Sequence, residues 1–149
     1  MKALIQRVTK ASVWVEGEEV GRIDRGILLF LAVVAGDGED ECRKMVRKVA
    51  GLRIFPDEQD RMNRSVADID GELLVVSQFT LAADLKKGYR PSFGRAEQPQ
   101  AAEAMCHSFC QQLAALGLPV AQGRFGADMQ VSLINDGPVT FWLDFPPQS

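Results

Sequence analysis

The first 34 residues hold four strand-like segments and no helical period, and no other feature of the chain constrains its fold as strongly. Residues 3–9, 12–16, 19–23 and 27–34 are joined by turns of a few residues, with Gly17 and Gly26 as breakers. Val13 and Val15 alternate with polar neighbours, as in a strand with one buried face. Connections this short pair neighbours antiparallel, because parallel neighbours need a long crossover. The longest apolar run, residues 27–35, has nine residues. A membrane-spanning helix takes roughly 20, so none is expected.

From Asp40 the period changes. Cys42, Met45, Val46 and Val49 fall on one face and Arg43, Lys44, Arg47 and Lys48 on the other, which predicts an amphipathic helix ending near Gly51. Residues 73–79 read as a buried strand, followed by an irregular stretch through Gly88-Tyr89-Arg90-Pro91. A second helix is predicted over residues 99–116, with Met105, Phe109, Leu113 and Leu116 as its apolar stripe, Pro99 in its first turn and Gly117 just past its end. Two strands close the chain, one alternating through Met129, Val131 and Leu133 and the other through Val139, Phe141, Leu143 and Phe145. Asp136-Gly137 is expected as the turn between them. About eight strands and two main helices predict an α+β fold: a curved, barrel-like, mostly antiparallel sheet covered by the helices on one side, forming a single domain over residues 1–149. Such a sheet leaves an edge or face open, and a homodimer is expected to cover it.

Charge and inventory exclude several functions. With 17 basic and 20 acidic residues the formal charge is -3, so no generally basic surface exists to bind DNA by counterion release. A nucleic acid would have to be held locally. Gln6 and Arg7 interrupt the N-terminal apolar stretch before a signal peptide could form, and Cys42, Cys106 and Cys110 read as buried thiols of a reducing compartment. A cytoplasmic location is expected. The single histidine, His107, follows Cys106 directly on a predicted helix. Neighbouring helical positions point about 100° apart, a poor pose for a Cys-His pair. Cys106 and Cys110 share a helical face but lack further ligands for zinc, and Gly36-Asp37-Gly38 lacks the rest of any nucleotide fingerprint. No metal or cofactor is expected.

Two segments are odd for plain structure. In Ser77-Gln78-Phe79-Thr80-Leu81 an apolar strand runs into polar side chains at its end, where backbone N–H groups leave the ladder. In Asn135-Asp136-Gly137-Pro138-Val139-Thr140, Pro138 removes a ladder donor directly after a turn signal. Together with Ala3-Leu4-Ile5-Gln6-Arg7-Val8, Arg90-Pro91-Ser92-Phe93, Gly123-Arg124-Phe125 and Ala127-Asp128-Met129, these residues resemble the D-aminoacyl-tRNA deacylase family. The match covers nearly the whole chain, and both family signatures are intact. A related family of tRNA-editing enzymes carries proline where Ser77 stands.

The resemblance implies hydrolysis of the ester between a D-amino acid, or glycine, and the terminal adenosine of tRNA, by a homodimer whose partner is the 3′ end of aminoacyl-tRNA. It further implies a cis Gly137-Pro138 peptide that enters the other subunit's site to hold the α-amino group. Arg7 then braces that motif, Phe125 and Met129 line the adenine pocket, and Ser77, Gln78, Phe79 and Thr80 form the catalytic strand end. Two sources of attack stay open: water activated by the substrate's ribose 2′-OH, with N–H groups near Phe79 and Thr80 stabilising the oxyanion, or Thr80 as nucleophile. The first is favoured, since a threonine without a base is a poor nucleophile. The rival classes are a non-catalytic tRNA-binding or scaffold protein of this fold, and a thiol hydrolase using Cys106 and His107.

Overall fold

The computed structural model describes residues 1–148; Ser149, the last residue of the domain expected over residues 1–149, lies outside them. The strands are β1 (Lys2–Val15), β2 (Glu18–Ile23), β3 (Gly26–Ala32), β4 (Phe55–Pro56), β5 (Met62–Arg64), β6 (Glu72–Ser77), β7 (Val120–Gln122) and β8 (Gln130–Asp144). The helices are α1 (Glu39–Gly51) and α2 (Pro99–Ala115), with a 3₁₀ turn at Phe79–Ala82. One edge of β1 pairs with β8 along its length; the other pairs with β3 over its first half and β2 over its second. From β3 the sheet continues through β6 and β7, both joined in parallel. The pairings made by β1 are all antiparallel, so the sheet is mostly antiparallel as predicted. Its ends nearly meet. A Cβ at Gly21 would lie 2.5 Å from the Gln122 carbonyl oxygen, so glycine is what lets β2 approach β7 and bring the sheet close to a barrel.

Two expectations about strand ends are corrected. Residues 3–9 and 12–16 form one strand, because Val8 pairs with Asn135 while Lys10 pairs with Ile134. The extra residue on β1 is a bulge, and it lets Val8, Ala11 and Val13 all face the same core. Read as pure alternation, that phase change looks like a strand break. Asp136-Gly137 is likewise no hairpin turn: β8 runs through it, with Asn135 opposite Val8 and Thr140 opposite Gln6. Five steps along β8 match two along β1, so residues 136–139 swing out of the ladder, and Pro138 forfeits no ladder bond there. Leu116 also departs from its expected place, being 58% exposed just past the end of α2; Gly117 has the positive φ (+86°) expected past a helix end.

The sheet separates two cores. Ile5, Ile27, Leu29, Leu31, Leu73 and Val75 meet α1 and α2 through Met45, Val49, Phe109 and Leu113. Val8, Val13, Leu28, Leu74 and Val76 fill the inside of the curved sheet. Strands β3 and β6 are thus buried on both faces, each large side chain contributing about 1.5–3 kcal/mol by leaving water. That firm centre is what holds the end of β6 in place. Within Gly36-Asp37-Gly38 the aspartate anchors the chain's first residue. The Met1 ammonium donates to Asp37 Oδ1 at 2.8 Å, both fully buried, and Val34 N donates to Asp37 Oδ2 at 2.8 Å. No helix of the described residues is long and apolar enough to cross a membrane.

Candidate active site

Strand β6 ends where its ladder does. Ser77 pairs with Leu31, Gln78 N donates to Leu31 O at 2.8 Å, and the chain then tightens into the 3₁₀ turn. Leu81 N returns to Gln78 O at 3.2 Å. The first N–H groups of such a turn, those of Phe79 and Thr80, have no partner within it. The Gln78 side-chain amide donates to Thr80 Oγ1, fixing the hydroxyl in place. Phe79 is 56% exposed and leans on Phe93, with ring centroids 5.0 Å apart and planes tilted by 59°.

Beside this turn lies a cavity of about 410 Å³. Ser77, Gln78 and Phe79 form one wall, and Phe125 and Met129, from the loop before β8, form another. Gly123 N donates to Val75 O at 2.9 Å, which ties that loop to β6. The lining is mostly apolar; its one carboxylate is Glu97, which no sequence pattern singles out. Glu97 lies in the irregular stretch, positioned by its N–H to Val33 O at 3.0 Å and by the Val34 to Ala96 bridge. Nothing periodic marks such a residue. Thr80 is exposed at the turn and is not part of the cavity lining.

A second cluster forms elsewhere. Arg7 Nε donates to Asp136 O at 2.9 Å and Arg7 Nη1 to Ile54 O at 2.8 Å, with the Asp136 carboxylate 3.4 Å away. Asn135 clasps the excursion from the other side: its Oδ1 accepts from Val139 N at 2.7 Å, and its Nδ2 donates to Val139 O at 3.3 Å and Thr140 Oγ1 at 3.1 Å. Between them Gly137 and Pro138 are exposed, and their peptide bond is cis. Gly137 has φ +153°, and a Cβ there would lie 2.6 Å from Val139 N, so no other residue fits this backbone.

The two clusters do not meet within one chain. Arg7 pairs with Ile27, Ile27 with Leu73, and Ser77 stands four residues further along β6. That is about 13 Å along the strands, plus two interstrand spacings of about 4.8 Å. None of residues 135–140 lines the cavity. The structure brings Ser77, Gln78, Phe79, Phe125 and Met129 together and leaves Arg7, Gly137 and Pro138 as a separate, exposed and braced group.

The thiols are poor nucleophiles. Burial pushes Cys106 up to about 11, against a weaker opposing hydrogen bond with Ser77. Burial likewise raises Cys42 to about 11 and Cys110 to about 12. At neutral pH such thiols stay protonated. Among the described residues no three His, Cys, Asp or Glu side chains cluster as metal ligands.

Comparison with known proteins identifies the family. The family model described as D-Tyr-tRNA(Tyr) deacylase matches residues 4–144. A D-aminoacyl-tRNA deacylase of Magnetococcus marinus is 66% identical over 149 residues, 99% of each chain. One of Paracoccus denitrificans is 58% identical over 144 residues, 97% of each chain. Among solved structures, c-Myc DNA Unwinding Element Binding Protein superposes with a TM-score of 0.93 at 45% identity, covering 98% of this chain and 99% of that one. A candidate eukaryotic D-amino acid tRNA deacylase shares the fold, with a TM-score of 0.83 at 19% identity over 97% of this chain and 98% of that one. With a family match running from the first strand to the last, and relatives alike over almost their whole length, the chain belongs to the D-Tyr-tRNA(Tyr) deacylase family.

Proposed function

We propose that this protein hydrolyses the ester between a D-amino acid, or glycine, and the 3′-terminal adenosine of tRNA, acting as a homodimer in which each Gly137-Pro138 excursion enters the partner's cavity. The observation that carries this reading is the separation described above. A rigid, exposed backbone element braced by Arg7 and Asn135 stands far from the cavity of its own chain, and a two-fold partner supplies what that cavity lacks.

In this arrangement adenine packs between Phe125 and Met129, and the carbonyls of Gly137 and Pro138 accept hydrogen bonds from the substrate's α-ammonium. An L side chain meets the excursion, whose backbone cannot swing aside as a side chain can. Glycine, lacking a side chain, passes. As water adds to the ester carbonyl, the N–H groups of Phe79 and Thr80 stabilise the oxyanion, each well-placed donor contributing about 3–4 kcal/mol. The ribose 2′-OH activates the water. The ester C–O bond then breaks, the 3′ oxygen takes a proton, and free amino acid and tRNA leave. The Thr80 hydroxyl is engaged by Gln78, and the chain's only histidine lies on α2, lining a different cavity. Among the described residues the side chain hydrogen-bonded to the Thr80 hydroxyl is the Gln78 amide, which cannot serve as the base a nucleophilic hydroxyl requires.

The test is to incubate the purified protein with D-tyrosyl-tRNA and L-tyrosyl-tRNA, with and without a thiol-alkylating reagent. Rapid hydrolysis of the D-ester alone, indifferent to alkylation, is expected. Binding without hydrolysis would favour a tRNA-binding scaffold, and inactivation by alkylation a thiol hydrolase. Light scattering is expected to give about twice the 16.4 kDa of one chain; a fully active monomer sinks the shared site.

A further inference from the structure

The cavity beside residues 77–79 has a neighbour. Strand β6, helix α2 and the loop before β8 each turn some side chains into the first cavity and others into a second one of about 550 Å³. Val76 and Ala102 line the first, Val75 and Glu103 the second, and Ser77 and Phe125 line both. The two spaces thus share a wall. The second has an apolar floor, with Val75 and Cys110 buried, and a polar rim of exposed Gln100, Glu103, His107 and Arg124. Neither Glu103 nor Arg124 joins an ion pair among the described residues.

We infer that this second cavity binds the cytidine preceding the terminal adenosine, with Glu103 accepting from the cytosine amino group and Arg124 meeting the adjoining phosphate. The inference rests on the deacylase reading, which puts adenine against Phe125 and so places the preceding nucleotide beside the shared wall. A flat base suits an apolar floor flanked by the aromatic rings of His107 and Phe125. A carboxylate accepts from cytosine N4–H₂, whereas uracil offers an acceptor oxygen at that position, which the carboxylate repels. Every tRNA ends in the same CCA, so selectivity for cytidine excludes no substrate. Holding the strand on both sides of Phe125 also fixes the ester against the N–H groups of Phe79 and Thr80, where small misplacements are costly.

The test uses non-hydrolysable 3′-amide analogues: D-tyrosylamino-adenosine alone, and the same nucleoside extended on its 5′ side by cytidine or by uridine. Calorimetry is expected to show the cytidine form binding about tenfold tighter than the nucleoside, and the uridine form losing most of that gain. Glu103→Ala is expected to erase the preference for cytidine over uridine. Arg124→Ala is expected to weaken both dinucleotides while leaving the nucleoside unchanged. If the nucleoside binds and neither extension improves it, the subsite is overturned and the deacylase reading stands. Equal affinity for the cytidine and uridine forms overturns the role of Glu103. If neither the nucleoside nor its extensions bind and D-tyrosyl-tRNA is not hydrolysed, both readings fall together.

Discussion

The end of β6 and the excursion from β8 are built in opposite ways. Residues 77–79 close a strand buried on both faces and open onto a cavity, with the N–H groups of Phe79 and Thr80 left over by the turn. Residues 135–140 are tied to one another and to Arg7 through the Asn135 side chain, Asp136 O and Val139, and present Gly137 and Pro138 to solvent with no cavity of their own. In the proposed function the first region is a receptor lacking a wall. The second is a finished wall lacking a receptor. Rigidity and vacancy are thus assigned to separate places, and the proposed dimer unites them.

The most direct challenge to this division damages each half in a different chain. Gly137→Ala sets a Cβ against Val139 N, and a displaced wall is expected to lower kcat/KM for D-tyrosyl-tRNA by at least 10²-fold while the far-UV spectrum stays unchanged. Co-expressing Gly137→Ala chains with Gln78→Ala chains is expected to restore about one quarter of wild-type activity, since random pairing makes half the dimers mixed and each mixed dimer has one intact site. No recovery on mixing would mean that each chain builds its own site.

A smaller effect is expected at Arg7. Arg7→Ala removes the two charge-assisted bonds that tie Asp136 O to Ile54 O, costing about 1.5–3 kcal/mol. Melting and activity are expected to fall together. Arg7→Lys is expected to rescue little, since one ammonium cannot match the guanidinium fork. If activity survives intact, the excursion does not need its brace.

At the receptor side, Thr80→Ala keeps the backbone donor and is expected to retain activity within about tenfold, against the 10⁴–10⁶-fold loss typical of a deleted nucleophile. D-aminoacyl-tRNA lacking the terminal 2′-OH is expected to bind but not turn over. A dead Thr80→Ala enzyme with normal turnover of the deoxy substrate would reverse the assignment.

The smallest effect concerns the core beneath both regions. Burial raises Cys42, Cys106 and Cys110 from 9.0 to about 11–12. Between those values the unfolded thiol has lost its proton and the folded one keeps it, so stability is full below pH about 9 and falls as pH rises toward 11. Melting temperature is expected to decline over that window, and less steeply in Cys110→Ala. An identical slope in the variant would show that the thiol does not contribute.

Much of the architecture was legible because local patterns report which face is buried. The helical periods of α1 and α2, Pro99 at the start of α2 and Gly117 past its end all appear in the structure within a residue or so. The strand-end motif and the Gly-Pro motif stood out by residue order alone, and each marks one of the two regions compared above. Glu97 did not stand out, since its place on the cavity comes from pairing with Val33 and Val34, just past β3, across an irregular stretch.

Amino-acid order was enough for the two helices, the stretches that form the long strands and the two unusual motifs, because periodicity, breakers and cap residues act over a few positions; the short strands β4, β5 and β7 carry no such pattern. It took the assembled sheet to make residues 3–9 and 12–16 one strand and residues 130–144 another, since a bulge shifts the alternation without ending the ladder. The same assembly makes Arg7 meet Asp136, 129 residues away, while Ser77 stays some 13 Å further along the sheet. Register between distant strands is set by which side chains fill a shared core, and no local stretch of sequence contains both partners.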